Sequence, residues 1–314
     1  MRQRVLITCP QLQATFEQYR HIFEEMNIDV ELPPVEQQLD ESELLKIIEH
    51  FDGVIAGDDH YTAKVLEKGK RLKAIARWGV GIDGIDLVAA KRRGIQISNT
   101  PSVFNDEVAD VVIGYIIMLA RQLHVLNSSV RQGSWPKIQG ISLRGKTLGV
   151  IGLGNIGQAV AHRAASAGMV VAGYDVVPIP ASVIKEKSIQ IMSFDQLLEI
   201  SDFISLSCGL TDKNRHMLSS REFALMKHGV FIINAARGPL IDESALIQAL
   251  RNGKVAGAGL EVVEEEPLSL DNPLRQFNNC IFGTHNASNT SEAVMRVNKL
   301  AIDNLLEALQ SKHA

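Results

Sequence analysis

The chain has 314 residues, of which 46% are hydrophobic and 22% charged, a globular composition that excludes a disordered or fibrous protein. Lysine and arginine number 32 against 36 aspartates and glutamates, and the net charge of −4 argues against a general nucleic-acid binder, whose surface would be strongly basic. This length predicts about two domains.

The cysteines and the apolar runs exclude several further classes. Cys9, Cys208 and Cys280 are an odd number without metal-like spacing, so neither a disulfide framework nor a metal site is predicted. The longest apolar run, 111–120, is too short to span a bilayer, and the N-terminal residues do not resemble a signal peptide. We therefore expect a soluble, reduced, cytoplasmic protein that binds neither nucleic acid nor a membrane.

Short Val- and Ile-rich runs alternate with segments of helical periodicity, which predicts βαβ units around parallel sheets. The first third of the chain has predicted amphipathic helices at 42–50 and 62–69 and predicted strands at 4–8, 53–56, 73–77 and 95–98. The long apolar segment 103–121 then predicts a helix, which either contacts another domain or subunit or belongs to a core.

A second series of strands follows, and the chain ends in an amphipathic helix. The second-series strands are predicted at 147–151, 170–174, 203–207, 230–234, 255–260 and 280–283. The segment 291–310 predicts the final helix, which lies far enough beyond the last strand to return to the first domain. The simplest arrangement is two α/β domains with a ligand cleft between them.

A glycine-rich motif of the form G-x-G-x-x-G lies between the predicted strand 147–151 and the helix that follows it. Gly152 permits a tight turn, Gly154 lets the backbone approach a pyrophosphate, and Gly157 lets the helix pack against the strand. Asn155 and Ile156 begin the helix, whose unpaired N–H groups and positive dipole end favour phosphate. This motif in this context predicts a dinucleotide site.

Asp175 indicates which dinucleotide binds. It ends the next predicted strand, 23 residues after Gly152, close to the place of the carboxylate that accepts a hydrogen bond from the ribose 2′-hydroxyl. The same carboxylate would repel the 2′-phosphate of NADP, and no arginine follows in 176–178. NAD is therefore the predicted cofactor, and nothing in the sequence indicates a flavin site.

Three ionisable residues, Arg237, Glu266 and His285, follow later strands of the second series. Because the carboxyl ends of parallel strands face the ligand crevice, these side chains are expected to converge beside a nicotinamide. Histidine carries a proton near neutral pH, a neighbouring carboxylate favours its charged form, and an arginine fork binds a carboxylate through two parallel bonds. Taken singly, each of these residues has a structural explanation, whereas the set behind a dinucleotide motif favours catalysis.

With these residues the chain resembles the D-isomer-specific 2-hydroxyacid dehydrogenases, the family of phosphoglycerate dehydrogenase and glyoxylate/hydroxypyruvate reductase. The resemblance runs nearly end to end, from Gly79-Val80-Gly81-Ile82-Asp83 and Asn99-Thr100-Pro101 through the glycine motif to His285. It implies two Rossmann/flavodoxin-like α/β domains with parallel sheets and an interdomain active-site cleft. Residues 1–100 with 287–314 would bind substrate, and 101–286 would bind NAD.

The resemblance also implies roles for individual residues. Arg237 would hold the substrate carboxylate and the reacting oxygen, His285 would be the general acid/base, and Glu266 would pair with His285. Further cofactor contacts would come from Cys208, Ala235, Glu261, Arg237 and His285, and substrate contacts from Arg77, Val80, Gly81, Arg237 and His285. Glu261 stands where the family usually has aspartate beside the nicotinamide carboxamide, and Thr284 replaces the proline usual before the histidine.

The substrate side leaves alternatives open. Arg77 matches an arginine that binds phosphate in phosphoglycerate-type members, but a strand-end arginine facing solvent explains it equally well. Asp58 and Asp59, where those members carry another arginine, resemble a solvated turn. Phosphoglycerate and hydroxypyruvate or glyoxylate are thus both candidate substrates.

The family resemblance also implies alternative functions and an assembly. The family resemblance extends to an NAD-sensing corepressor-like binding protein and to formate or phosphite dehydrogenases, but no extra basic segment or disordered tail favours the former. The family is usually dimeric, which implies a homodimer through the 102–145 region, with Trp135 as an aromatic anchor.

Overall fold

A computed structural model describes residues 2–311 of the chain. The chain divides into two compact units, one formed by the residues up to Val103 with those from Asn289 onward, the other by Phe104–Ser288. The predicted domain boundaries at 100/101 and 286/287 lie three and two residues N-terminal to these divisions.

The elements alternate between strand and helix in both units. The strands are β1 Gln3–Ile7, β2 Ile28–Glu31, β3 Gly53–Ala56, β4 Ala74–Arg77, β5 Gln96–Ser98, β6 Thr147–Ile151, β7 Val170–Tyr174, β8 Ile189–Ile191, β9 Phe203–Leu206, β10 Val230–Asn234, β11 Val255–Leu260 and β12 Cys280–Phe282. The helices are α1 Pro10–Thr15, α2 Arg20–Glu25, α3 Glu41–Ile47, α4 Ala63–Lys68, α5 Leu87–Arg93, α6 Asn105–Arg121, α7 Leu123–Arg131, α8 Asn155–Ser166, α9 Ala181–Lys187, α10 Phe194–Ile200, α11 Ser220–Leu225, α12 Glu243–Arg251 and α13 Ser291–Gln310. Short 3₁₀ turns occupy Phe16–Gln18, Ile48–His50, Gly238–Leu240 and Pro273–Gln276.

The first unit contains a parallel sheet in the order β2-β1-β3-β4-β5, which is the flavodoxin-like arrangement. Its central strands β3 and β4 are buried at every position, as expected for a parallel sheet covered on both faces. Helix α13 packs against β3, β4 and β5, with Leu305 and Leu309 so close to Gly53 that no larger residue would fit at that position without displacement. The C-terminal helix thus belongs to the core of the first unit.

The second unit contains a parallel sheet in the order β12-β11-β10-β9-β6-β7-β8. Counted from β6, this is the doubly wound Rossmann order with one additional strand at the β12 edge. The order reverses between β6 and β9, which pair from Leu148–Phe203 to Ile151–Leu206. Ligands of such sheets bind where the order reverses, beyond the carboxyl ends of the strands.

Helix α6 lies in the second unit and packs against α8, β10 and β11. One face of the helix is buried, at Val108, Ala109, Val112, Tyr115, Ile116, Leu119 and Ala120. This burial agrees with the core-helix interpretation of segment 103–121, while Ile117 on another face is 39% exposed. The helix begins two residues later than predicted, at Asn105.

Within residues 2–311, no single helix is long and apolar enough to cross a membrane. Helices α6 and α7 meet the length and composition requirement only when taken together, across a bend of 66°.

Candidate active site

The glycine motif forms the turn between β6 and α8. Gly152 has a φ of +95°, a left-handed conformation that favours glycine, and a Cβ there would lie 2.5 Å from the backbone nitrogen of Cys208. A Cβ on Gly157 would overlap the carbonyl oxygen of Gly152, so α8 packs directly on the turn. By contrast, no atom lies within 4 Å of a Cβ built on Gly154. The outer side of the turn is therefore open to a group that approaches the backbone.

Asp175 directly follows β7 and ties that strand end to the glycine turn. One carboxylate oxygen accepts a hydrogen bond from the Leu153 N–H at 2.6 Å, and the other accepts one from the Val177 N–H at 2.9 Å. Each oxygen keeps further acceptor capacity for a ribose hydroxyl. The next residues, Val176 and Val177, are exposed and uncharged, so neither of them offers a cation to a 2′-phosphate.

Helix α8 presents its first residues at the same edge of the sheet. Asn155 and Ile156 are the first two residues of this 12-residue helix, and Gly154 is its N-cap. The open side of Gly154, the helix N-terminus and the acceptor oxygens of Asp175 together provide the donor and acceptor set that a dinucleotide requires. The residues present thus fit NAD.

Cys208 and Ala235 lie just past the next two strands, β9 and β10, and both are partly buried. Asn214 Nδ2 and Met217 Sδ each lie 3.9 Å from the Cys208 sulfur. Burial raises the pKa of the Cys208 thiol to about 11, so the side chain is a neutral thiol near pH 7. This residue can line a pocket but is not a nucleophile.

Arg237 follows β10 in a turn that the buried Asn234 holds in place. The Asn234 side-chain amide donates to the Arg237 carbonyl at 2.9 Å, and its oxygen accepts from the Ala236 N–H at 3.1 Å. The guanidinium of Arg237 donates to the Ala236 carbonyl at 2.8 Å, and the residue is half-buried. The sequence does not mark Asn234 as a functional residue. Its hydrogen bonds to the turn depend on a backbone conformation that no local motif indicates.

Glu266 and His285 lie in direct contact, with 2.9 Å between Glu266 Oε2 and His285 Nδ1. The other oxygen of Glu266 accepts from the Val263 N–H at 3.2 Å, which fixes the carboxylate. Both side chains remain more than a fifth exposed, at 22% and 23%. The contact to the carboxylate through Nδ1 fixes the orientation of the imidazole ring.

Glu261, for which the resemblance implies a contact to the nicotinamide carboxamide, lies buried directly after β11. It is 4% exposed, and its carboxylate accepts hydrogen bonds from the Tyr115 hydroxyl and from the Asn286 N–H. Tyr115, in the middle of α6, was missed by the sequence analysis, because nothing local marks a partner 146 positions along the chain.

The remaining predicted residues lie in the first unit. Arg77 is 8% exposed, and its guanidinium donates to the carbonyls of Ala56, Trp78 and Gly81 and forms an ion pair with Asp58. The interpretation of Arg77 as a solvent-facing arginine is therefore wrong.

The interpretation of Asp58 and Asp59 as a solvated turn is also wrong. Asp59 is 2% exposed and accepts hydrogen bonds from the Thr8 hydroxyl and, at 2.7 Å, from the Leu39 N–H. Burial raises the pKa of Asp59 against the opposing effect of these bonds. The carboxylate of Asp58 pairs with Arg77. The two residues are structural elements of the loop after β3.

The loop from Arg77 to Gly81 is fixed by its own unit. The Gly79 N–H donates to the Thr100 hydroxyl, and the Thr100 N–H donates to the Gly79 carbonyl, both at 2.9 Å. The Asn99 side-chain amide donates to the Val80 carbonyl at 2.6 Å. Within residues 2–311, the N–H groups of Val80 and Gly81 donate no backbone hydrogen bond. These two amides are available to an anion.

The second unit defines a class of protein. A doubly wound parallel sheet with a glycine turn at its switch point, an aspartate after the second strand and a carboxylate–histidine pair is the site of a nicotinamide-dependent dehydrogenase.

Comparison with known proteins identifies the family. The sequence profile of "D-isomer specific 2-hydroxyacid dehydrogenase, NAD binding domain" matches residues 113–287. A hydroxypyruvate reductase of Thermotoga maritima is 39% identical over 284 residues, which cover 89% of this chain and 92% of the relative. A D-3-phosphoglycerate dehydrogenase of Methanocaldococcus jannaschii is also 39% identical, over 280 residues, or 88% of this chain but only 53% of the relative.

Solved structures agree with the sequence comparison. The D-lactate dehydrogenase of Aquifex aeolicus, solved with NAD and lactic acid, has a TM-score of 0.85 and 29% identity, covering 97% of both chains. The chain belongs to the D-isomer-specific 2-hydroxyacid dehydrogenase family. It is an NAD-dependent oxidoreductase of D-2-hydroxy acids, and NAD is the cofactor that the glycine motif and Asp175 predict.

Proposed function

We propose that the protein reduces a small, unphosphorylated 2-keto acid, hydroxypyruvate or glyoxylate, to the D-2-hydroxy acid with NADH. The observation that carries this proposal is the ion pair between the buried Arg77 and the partly exposed Asp58. A phosphorylated acid needs a cation for its second anionic group, and Arg77 is the residue expected to supply one. Because its guanidinium already bonds Asp58 and three carbonyls, a phosphate would compete with the Asp58 carboxylate for Arg77.

The proposed chemistry divides between three residues of the second unit. Bound NADH supplies the hydride. Arg237 binds the substrate carboxylate and the keto oxygen through its guanidinium fork. His285 donates the proton of Nε2 to the developing alkoxide, and Glu266, 2.9 Å from Nδ1, orients the ring and stabilises its charged form. In the first unit, the N–H groups of Val80 and Gly81 donate to the substrate carboxylate.

The proposed cofactor contacts follow the carboxyl edge of the second sheet. The backbone at Gly154 and the start of α8, at Asn155 and Ile156, bind the pyrophosphate, while Gly152 forms the turn and Gly157 lets α8 pack against it. Asp175 accepts from the ribose hydroxyls. Cys208 and Ala235 line the pocket, and Arg237 and His285 lie beside the nicotinamide.

A panel assay of NADH oxidation tests substrate class and cofactor together. Hydroxypyruvate and glyoxylate are expected to be turned over, with kcat/KM for 3-phosphohydroxypyruvate at least about tenfold lower, equivalent to about 1.4 kcal/mol of lost transition-state binding. Activity with NADPH should be lower by a similar factor, because the Asp175 carboxylate repels a 2′-phosphate.

Each contrary result has a distinct meaning. Preferred turnover of the phosphorylated acid, abolished in Arg77→Ala, would replace the proposal with a phosphoglycerate-type enzyme. Tight NADH binding without turnover of any acid would favour the NAD-sensing binding protein.

We also propose that the protein is a cytoplasmic homodimer that associates through the 102–145 region. The proposal is supported by exposed apolar side chains along α6, α7 and the segment after them, at Ile117, Leu123, Val130, Trp135 and Ile141. Light scattering of the purified chain is expected to give twice the monomer mass, reduced toward one monomer in Trp135→Asp. A monomeric wild-type protein at micromolar concentration would contradict the assembly and leave the catalytic proposal untouched.

A further inference from the structure

The turn that carries His285 is held by one residue of a neighbouring strand end. The backbone carbonyl of Glu261, directly after β11, accepts the His285 N–H at 2.9 Å. Its side-chain carboxylate accepts the N–H of the next residue, Asn286. Two successive backbone donors of the turn therefore bind the same residue, one through the main chain and one through the side chain.

The side chain of Glu261 is itself held in place by Tyr115. The Tyr115 hydroxyl donates to Oε2 of Glu261 at 2.5 Å, while Oε1 accepts from Asn286. Both side chains are almost fully buried, at 7% and 4% exposure. Burial, followed by the hydrogen bond to Glu261 and the negative charge of Glu261, raises the pKa of Tyr115 far above its usual value. The phenol is thus a permanent donor to the carboxylate across the working pH range.

Two glycines provide the space for this pair. A Cβ on Gly283 would overlap Oε2 of Glu261 and would lie 2.5 Å from the Tyr115 hydroxyl. A Cβ on Gly259 would lie 2.8 Å from the Cβ of Tyr115. The backbone of β11 and of the segment after β12 therefore leaves a slot that the tyrosine and the glutamate fill.

The turn needs such support. His285 has a φ of +54°, a left-handed conformation that costs a non-glycine residue roughly 1–2 kcal/mol. Its ring must also stay within hydrogen-bond distance of Glu266, and a displacement of about 1 Å at a reacting group can cost on the order of 10²-fold in rate. A buried carboxylate with two hydrogen-bond donors is a rigid anchor for the backbone at this point.

We propose that Glu261, held by Tyr115, is a positioning residue that fixes the turn of His285 and so sets the placement of its ring. The proposal rests on the proposed role of His285. Both oxygens of Glu261 are directed to Tyr115 and Asn286, so the side chain acts on catalysis through the backbone of the turn.

Three variants test the proposal: Glu261→Gln, Tyr115→Phe and the double variant. The amide of the glutamine keeps the volume but loses the charge, and phenylalanine removes only the hydroxyl. We expect kcat to fall about 10- to 30-fold in Glu261→Gln and about 3- to 10-fold in Tyr115→Phe, from the loss of one charge-assisted hydrogen bond in each. Both changes break the same contact. The loss of kcat in the double variant should therefore be smaller than the product of the two single losses and close to that of Glu261→Gln alone.

The readouts separate positioning from cofactor binding and from a general loss of structure. The Kd of NADH, measured by fluorescence without substrate, and the KM of the keto acid should both stay within about threefold, and the isotope effect with deuterated NADH should rise as the chemical step slows. The thermal midpoint reports folding. Tyr19→Phe, the same chemical change in the first unit, is the matched control and should leave kcat unchanged.

Two results would overturn the inference. A Glu261→Gln protein with wild-type kcat but a tenfold weaker Kd for NADH would make Glu261 a cofactor ligand. Wild-type values for all three variants would remove any role in catalysis. Failure of the proposed function is distinguishable, because in that case the unaltered protein itself would reduce none of the 2-keto acids.

Discussion

His285→Ala is expected to lower kcat by about 10³-fold, within the range that a positioned general acid contributes, while the Kd of NADH changes by less than about threefold. The alanine removes the proton donor but touches neither the glycine turn nor Asp175. The turn itself should persist, since the bonds to Glu261 come from the backbone N–H groups of residues 285 and 286. Single-turnover reduction of hydroxypyruvate and fluorescence titration of NADH measure the two quantities independently.

Two further variants show whether the fall in kcat comes from loss of the proton donor. Glu266→Gln should lower kcat less, by about 10- to 100-fold, because the amide still meets Nδ1 but no longer stabilises a charged imidazole. His228→Ala, at an exposed histidine before β10, is the matched control and should keep wild-type kinetics. Turnover by His285→Ala at the wild-type rate would refute the proposed mechanism.

Arg237→Lys is the second change with a large expected effect, a fall in kcat/KM of about 10- to 100-fold. Lysine keeps the positive charge, but its donors share one nitrogen and cannot form two parallel bonds to a carboxylate. One charge-assisted hydrogen bond is therefore lost, worth about 1.5–3 kcal/mol. The loss should appear mainly in kcat/KM for the 2-keto acid. The turn beneath it should be preserved, because Asn234 binds the backbone of the turn.

The control for Arg237→Lys is the same substitution at an arginine outside the site. Arg251→Lys, at the exposed end of α12, makes the same substitution away from the site and should leave kcat/KM unchanged. Equal values for Arg237→Lys and the wild-type enzyme would show that charge alone suffices and that the bidentate contact is not made. Loss of NADH binding in Arg237→Lys would assign the residue to the cofactor.

The central strands were predicted with high accuracy because a parallel sheet buries both faces and leaves a continuous apolar run. Strands β3, β6, β7, β10 and β11 have the predicted bounds. By contrast, β2 and β8 were missed. Both are edge strands of three or four residues in which polar side chains alternate with Ile or Val, so neither carries a long apolar run.

Parts of the site were predictable for a similar reason. The glycine turn and Asp175 are marked by local spacing. Places after parallel strands predict that Glu266 and His285 converge, and the family resemblance implies their pairing. The environments of Arg77, Asp59 and Glu261 were not predictable. Each environment depends on partners distant in the sequence. The local sequence around Asp59 does not show whether its carboxylate accepts from water or from the Leu39 N–H.

The place of α13 has a consequence for the order in which the protein is made. The sheet of the first unit is synthesised before the second unit, whereas Leu305 and Leu309, which cover Gly53, and Asn298, which accepts from the Trp78 indole at 2.7 Å, are synthesised after it. The second unit, Phe104–Ser288, is complete before them. The usual N-to-C order of co-translational folding is therefore inverted. The nascent second unit can fold while one face of the first sheet is not yet covered by α13.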